Sequence, residues 1–145
     1  MSSLHTATAF IASGSVQAFS INFFNTNDKP EDVQSIALAV ASSARVSLFE
    51  CQMIGNQNTV LIDGLLFAAN SLVEGNLDMI SGGGSAYFFR TQIAPNRDGI
   101  CLTADRRGTR TKRGGYVLDQ CTITHTDNSQ MLSKVCLGRP ANAYA

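Results

Sequence analysis

The sequence contains no tryptophan, only three prolines and no long apolar run. No apolar stretch approaches the roughly 20 residues that a membrane-spanning helix needs, so we expect no membrane partner. The first residues, Met1 to His5, lack a basic segment leading into an apolar one. We therefore expect a soluble chain without an export signal of its own.

The chain has no excess charge of either sign, because eleven basic residues balance eleven acidic ones. This balance argues against nucleic acid and against an anionic membrane surface as partners. One local exception is the run from Arg106 to Arg113, which holds five of the eleven basic residues. A polyanion could dock there, but the glycine and threonine of the run favour a solvated loop between strands.

Metal-binding sequence patterns are also lacking. No CxxC pair occurs, and His5 and His125 are isolated from any carboxylate cluster, so we predict neither a metal site nor a cofactor. Widely spaced cysteines in apolar runs usually behave as small buried hydrophobes, so we expect free thiols and leave the redox compartment open. The four cysteines are Cys51, Cys101, Cys121 and Cys136.

What the sequence does contain is a set of short apolar runs. With 145 residues and 44% hydrophobic content, the chain can form one core, and we predict a single domain over residues 1–145. Amphipathic helical patterns are scarce, whereas runs rich in Val, Ile, Phe and Leu alternate with Gly, Asn, Asp and Ser. This pattern predicts an all-β protein.

Five of these runs resemble one another, each ending on an apolar residue two positions after its midpoint. The final residues are separated by 30, 20, 20 and 30 positions, which is typical of the coils of a β-solenoid with loop insertions. A β-sandwich is the alternative, but its turns usually recur about every 8–12 residues. The five final residues are Phe23, Met53, Val73, Ile93 and Ile123.

A solenoid buries the inner side chains of each coil on the next coil, so its two ends need covers. This chain begins in strand-like sequence and ends at residues 140–145 without an obvious capping helix. Open strand edges can pair with other chains. We therefore expect either a fragment of a longer protein or self-association through the ends of the solenoid.

Two polar segments stand out, at residues 55–59 and 74–78, because each follows a strand and they lie one 20-residue repeat apart. Equivalent positions on successive coils lie about 4.8 Å apart along the axis, so we expect Gln57 and Asp78 to be neighbours. The alternative is a purely structural ladder in which the Asn and Gln amides hydrogen-bond along the axis.

Four segments in order resemble the signatures of the pectin methylesterase (pectinesterase) family, and the resemblance extends from about Thr6 to Pro140. These signatures are Gln-Ala-Val-Ala-Leu, Gly-x-Gln-Asp-Thr, Val-Asp-Phe-Ile-Phe-Gly and Leu-Gly-Arg-Pro-Trp. Their counterparts here are Gln34-Ser35-Ile36-Ala37-Leu38, Gly55-Asn56-Gln57-Asn58-Thr59, Leu77-Asp78-Met79-Ile80-Ser81-Gly82 and Leu137-Gly138-Arg139-Pro140-Ala141.

The resemblance implies a single-stranded, right-handed parallel β-helix of the pectin-lyase-like type, shortened at both ends relative to the family. It implies a carbohydrate esterase that acts on methyl-esterified homogalacturonan and releases methanol and free galacturonate carboxylates, without a metal or cofactor. The partner would be pectin, and the setting would be extracellular or the plant cell wall.

The resemblance also implies roles for individual residues. Asp78 matches the nucleophilic carboxylate, and Arg139 matches the arginine that orients it through charge-assisted hydrogen bonds. Gln34 and Gln57 match the glutamines whose amide groups stabilise the developing oxyanion, a contribution of about 3 kcal/mol per donor. Thr59, Met79 and Ala141 fall at positions that adjoin the substrate.

Two departures from the family pattern bear on activity. Asn58 stands where the family has the aspartate that gives a proton to methanol and later activates water, and losing such help typically costs about 10²–10⁴ in rate. Ala141 stands in place of a tryptophan that lines the substrate cleft. The alternatives to an active esterase are therefore a catalytically inactive pectin-binding or regulatory member, and a structural solenoid that self-assembles.

Overall fold

The structure, a computed structural model, describes residues 7–27, 34–126 and 134–143, which form fourteen β-strands and no helix. No helix in these ranges is therefore long and apolar enough to cross a membrane. The strands are β1 (Ala9–Phe19), β2 (Asn22–Phe24), β3 (Leu38–Phe49), β4 (Gln52–Ile54), β5 (Val60–Ile62), β6 (Leu65–Ala69), β7 (Leu72–Gly75), β8 (Ile80–Gly82), β9 (Ser85–Phe89), β10 (Gln92–Pro95), β11 (Ile100–Asp105), β12 (Gly115–Asp119), β13 (Thr122–Ile123) and β14 (Val135–Pro140).

The strands wind into successive coils with three faces. The first face pairs the start of β3 with β5, β8, β11 and β14, and the second pairs the end of β3 with β6, β9 and β12. The third face stacks β2, β4, β7, β10 and β13. The long strands β1 and β3 pair with each other across both of the first two faces. Every pairing between these strands is parallel, which makes the fold a parallel β-helix.

The register of the third face confirms the repeat found in the sequence. Phe23 pairs with Met53, Met53 with Val73, Val73 with Ile93, and Ile93 with Ile123. Met53, Val73 and Ile93 have no solvent exposure, whereas the outermost Ile123 is 51% exposed. The prediction of an all-β solenoid is confirmed and the β-sandwich alternative is wrong. The single domain over 1–145 stays a prediction, because three stretches and the last two residues lie outside the described ranges.

Each coil turns from the second face to the third at one residue in the left-handed region, with φ between 49° and 56°. Its N–H donates to a carbonyl of the next coil in four of the five cases, at 2.9–3.0 Å, so the axial hydrogen bonding continues through the corner. The five similar runs of the sequence therefore each span a corner and are not single strands. The corner residues are Ser20, Glu50, Asn70, Arg90 and Gln120.

The cysteines divide into two groups. Cys51 is a buried free thiol, as expected, and Cys121 is free but half-buried. The expectation of free thiols is wrong for Cys101 and Cys136, which form a disulfide between β11 and β14. These two residues are direct partners in the parallel register of the two strands, so the bond joins adjacent coils of the first face.

Gly82 should be essential to the stacking of the coils. Its φ is +119°, and a Cβ added to it would lie 2.0 Å from the carbonyl oxygen of Ile62. Backbone strain and overpacking together should make Gly82→Ala cost about 2–4 kcal/mol in free energy of unfolding. Gly108→Ala is the control, because a Cβ there meets no atom within 4 Å. Urea denaturation measures the free energy of unfolding of both variants. Equal stability of the two would contradict the close packing at Gly82.

The disulfide should contribute measurably to stability because it closes a loop of 35 residues. Cys136→Ser should lower the free energy of unfolding by about 4 kcal/mol through the greater entropy of the unfolded chain. The matched control is Cys121→Ser, which removes a free thiol and should leave the response to reductant intact. Denaturation curves with and without dithiothreitol test this, and a parent protein indifferent to reductant would contradict it.

Candidate active site

Asn58 and Asp78 occupy equivalent turns that lead into β5 and β8. Both have left-handed backbone conformations, with φ of 55° and 50°, which Asn and Asp tolerate better than most residues. Since Val60 pairs with Ile80, Asn58 and Asp78 are neighbours on successive coils, about 4.8 Å apart along the axis. The five corner residues have the same left-handed conformation, so in this fold it marks a turn between faces and is not by itself a sign of function.

Axial backbone hydrogen bonds hold both turns in place. The N–H of Asn58 donates to the carbonyl of Leu77 at 3.0 Å, and the N–H of Asp78 donates to the carbonyl of Cys101 at 2.9 Å. The position of Asp78 is thereby set by the coils on either side of it. Its side chain is only 4% exposed.

Arg139 pairs with Asp78 although the two residues are 61 positions apart in sequence. The Nε of Arg139 donates to Oδ1 of Asp78 at 2.8 Å, and a terminal guanidinium nitrogen donates to Oδ2. This is the two-pronged geometry in which arginine binds a carboxylate most strongly. The hydrogen bonds to Asp78, and then its negative charge, raise the pKa of Arg139 above its usual value.

The strand register explains how Arg139 reaches this position. Ser81, three residues after Asp78, pairs with Ala104, and Ala104 pairs with Arg139 on β14. Arg139 therefore lies two coils from Asp78, about 10 Å along the axis, a distance that a long side chain can span. The Arg139 side chain is 46% exposed, whereas that of Asp78 is buried.

The two glutamines lie on the coils that precede Asp78. Gln34 pairs with Gln57, and Gln57 pairs with Leu77, the residue before Asp78. Gln57 is thus diagonal to Asp78, and Asn58 takes the neighbouring position that the sequence spacing had predicted for Gln57. Within the described ranges, no amide-to-amide hydrogen bond joins Gln34, Gln57 and Asn58, so the alternative of a structural amide ladder has no support.

Several buried polar atoms around Asp78 have no hydrogen-bond partner among the residues that the structure describes. Both amide atoms of Asn58 are in this state, as are Oε1 of Gln34 and Oγ of Ser81. Asn58 and Ser81 have no solvent exposure at all. A buried polar group without a partner costs about 1–3 kcal/mol, so this concentration of polar atoms is not explained by stability.

The three predicted substrate-binding positions differ in exposure. Thr59 is fully buried and its hydroxyl donates to the carbonyl of Glu74 at 3.0 Å. Met79 is also fully buried and belongs to the main core. Ala141 is exposed, and its N–H donates to the carbonyl of Asp105 at 2.8 Å. Of these three side chains, Ala141 alone offers surface that a ligand can contact.

The disulfide is a feature of the site that the sequence reasoning missed. Cys101 accepts the hydrogen bond of the Asp78 N–H, and its partner Cys136 lies three residues before Arg139 on the same strand. The bond therefore connects the coil next to Asp78 with the strand that carries Arg139. The signal for it was the similarity of Ile100-Cys101-Leu102-Thr103 and Val135-Cys136-Leu137-Gly138, which predicts the same position on adjacent coils.

No group of three or more His, Cys, Asp or Glu side chains that could hold a metal occurs in the described part of the chain. A cavity of about 740 Å³ opens at the last coils, where Tyr116, Leu118 and Ile123 are among its lining residues, and Asp78 does not line it. The chemistry of the candidate site is therefore that of a buried carboxylate held by an arginine, with amide groups on the neighbouring coil.

Comparison with known proteins agrees with this geometry. The family model described as Pectinesterase matches residues 1–145. Pectinesterase A of Emericella nidulans is 34% identical over 145 residues, which cover 96% of this chain and 44% of that protein. "Probable pectinesterase 50" of Arabidopsis thaliana is 29% identical over 146 residues, covering 98% and 40% respectively.

A solved structure is similar as well. The crystal structure of the pectin methylesterase from Aspergillus niger in deglycosylated form matches with a TM-score of 0.71 and 28% identity, covering 88% of this chain and 40% of that one. The chain thus spans about two fifths of the length of the relatives that it matches. The family model, the relatives and the shared parallel β-helix together show that this chain belongs to the pectinesterase family.

Proposed function

We propose that the chain carries the active-site part of a pectin methylesterase-type carbohydrate esterase. The substrate would be methyl-esterified homogalacturonan, and the setting extracellular or the plant cell wall. The observation that carries the proposal is the pairing of the buried Asp78 carboxylate with Arg139. A buried carboxylate oriented by two hydrogen bonds from a guanidinium group is suited to act as a nucleophile.

In the first step, an oxygen of Asp78 attacks the carbonyl carbon of the methyl ester. Each carboxylate oxygen has two lone pairs, so binding to Arg139 leaves one on each oxygen for attack. Amide N–H groups of Gln34 and Gln57 are the proposed donors to the oxyanion that forms. The tetrahedral intermediate then collapses, the bond to the methoxy oxygen breaks, and methanol departs after gaining a proton.

In the second step, water attacks the acyl-enzyme and restores Asp78, leaving a free carboxylate on the sugar. The balance is one water consumed for each methanol released. Both steps need a group that gives and then accepts a proton, and the Asn58 amide cannot do so. A carboxyl group at position 58 would lie beside Asp78, and two neighbouring buried carboxyls raise the pKa of one of them, which creates a proton donor.

The alternative is a pectin-binding or regulatory protein without catalytic activity. The specific observation that favours it is Asn58, which is fully buried and has, within the described ranges, no hydrogen-bond partner for either amide atom. The exposed Ala141, where the family pattern has tryptophan, also removes an aromatic surface for sugars to stack on.

Methanol release from highly methylated pectin distinguishes the two functions. We expect slow release by the parent protein, none by Asp78→Ala, and a rate about 10²–10⁴ higher for Asn58→Asp because a proton donor is restored. Asn70→Asp is the matched control, since it makes the same chemical change at an exposed corner residue with the same left-handed conformation. Release that persists in Asp78→Ala would rule out the nucleophile.

If the parent protein releases no methanol but Asn58→Asp does, the defect lies at position 58 and the rest of the site is competent. If neither does, saturable binding of pectin by the parent protein supports the binding function. Circular dichroism of each variant should retain the β-sheet spectrum, so that loss of activity is not mistaken for loss of folding.

We further propose that a second copy of the chain stacks on the exposed coils. Phe19 is 60% exposed at one end and Leu137 is 62% exposed at the other. Among the described strands, β2 pairs only with β4 and β13 only with β10, so each of the two has one backbone edge without a partner in this part of the chain.

This arrangement predicts a mass that rises with protein concentration in light scattering, and a lower association constant for Phe19→Lys because a charge at the edge opposes strand pairing. Leu65→Lys is the control, since Leu65 is 48% exposed but lies in the middle of the second face. A constant monomer mass over a hundredfold range of concentration would exclude the association.

A further inference from the structure

Residues 106–113, the basic loop, connect β11 to β12 and hold five of the eleven basic residues of an otherwise neutral chain. Its backbone is anchored at both ends. The N–H of Arg106 donates to the carbonyl of Gly82 at 2.9 Å, and the N–H of Gly115, just beyond the loop, donates to that of Gly84 at 3.0 Å. The loop is therefore attached to a corner of the β-helix and is not an extended tail.

Most of its cations lack an anionic partner. Within the part of the chain that the structure describes, the side chains of Arg106, Arg110, Lys112 and Arg113 form no ion pair. Two carboxylates close to the ends of the loop bind backbone groups: Asp63 accepts from the N–H of Gly83 at 3.1 Å, and Asp105 accepts from that of Arg107 at 2.9 Å. The positive charge of the loop is thus left available for an external anion.

The basic loop adjoins the candidate active site. The side-chain amide of Asn142 donates to the carbonyl of Arg106 at 2.8 Å, and the N–H of Ala141 donates to the carbonyl of Asp105 at 2.8 Å. Ala141 and Asn142 follow Arg139 by two and three residues. The ammonium group of Lys112 lies over Gly83, only 2.7 Å from where a Cβ on that glycine would be. Gly83 directly follows β8, the strand that Asp78 leads into.

We propose that the basic loop is a binding site for free carboxylates of a polyuronate, next to the ester on which Asp78 acts. This inference rests on the proposed function for the identity of the sugar. A methyl-esterified unit is neutral and gains nothing from the loop, whereas each free carboxylate is attracted to it. The chain therefore recognises partly de-esterified pectin through charge, in place of the sugar stacking that an aromatic side chain at position 141 would provide.

The test is direct binding, without turnover, of fully de-esterified polygalacturonate and of highly methylated pectin, measured by calorimetry at low and high salt. We expect tighter binding of polygalacturonate, weakened by salt because exposed charges are screened. Arg110→Gln/Lys112→Gln should lose roughly twofold to thirtyfold in affinity, the range for two exposed charge pairs. The charge-conserving swap Arg110→Lys/Lys112→Arg should keep most of it.

A second control, Arg90→Gln, removes a positive charge at a corner away from the loop, where Arg90 bonds Gln120. It should leave binding nearly unchanged. The proposal is overturned if the double variant binds polygalacturonate as well as the parent protein does, or if methylated pectin binds equally well. It is also overturned if single-stranded nucleic acid binds more tightly at the same salt concentration, since the loop would then suit that polyanion better.

The assay is independent of catalysis. Asp78→Ala should release no methanol yet bind polygalacturonate at least as tightly as the parent protein does, because its basic loop is intact and Arg139 has lost its anionic partner. If no variant releases methanol but the loop variants lose affinity, the proposed esterase activity fails and the carboxylate site stands. If methanol is released but the loop variants bind normally, the esterase stands and the carboxylate site fails.

Discussion

The axial hydrogen bonds between successive coils are the constraint on which the rest of the molecule depends. They run through the strands and also through the corners, where one residue per coil adopts a left-handed conformation so that the next strand starts in register. A coil alone cannot bury its inner side chains, so the position of every residue is set by the coils above and below it. The accuracy with which the site residues are positioned therefore depends on how well the coils stack.

The candidate active site is built across coils and not along the chain. Asp78 is positioned by bonds to neighbouring coils, Arg139 reaches it from two coils away, and the Cys101–Cys136 disulfide ties the strand of the arginine to the coil next to the carboxylate. Residues so far apart in sequence can meet because each coil of the β-helix, although it contains many residues, advances only about 4.8 Å along the axis. Stability and site geometry therefore rest on the same contacts.

The aromatic side chains of the chain are placed differently from what sugar binding would require. Phe19, Phe49, Phe67 and Tyr87 form a row along the second face, with ring centroids 4.9, 5.7 and 6.1 Å apart. Rings that stack on one another along the axis stabilise the coils and present mainly their edges to solvent. Near Asp78 the surface has instead the small Ala141 and the basic loop, so recognition there depends on charge more than on stacking.

The sequence by itself determined the fold class and the family, and it named the candidate residues of the site. The spacing of Phe23, Met53, Val73, Ile93 and Ile123 predicted the register of the third face, because an apolar residue at each inner position must meet its equivalent on the next coil. Four short segments, two of which contain Asp78 and Arg139, placed the chain in one family, and the family model agrees. Such segments can be recognised from sequence because each forms a local turn or strand end that its own residues specify.

What only the tertiary structure decided was which side chains meet and which are buried. Asn58 and not Gln57 lies beside Asp78, Met79 and Thr59 are internal, and Cys101 is bonded to Cys136. Coils of unequal length carry insertions, so sequence spacing leaves a register uncertain by one residue, and in a β-strand one residue separates the inner face from the outer. The hydrogen-bonded stack removes that uncertainty, because its ladder has one register in which all the inner side chains are buried.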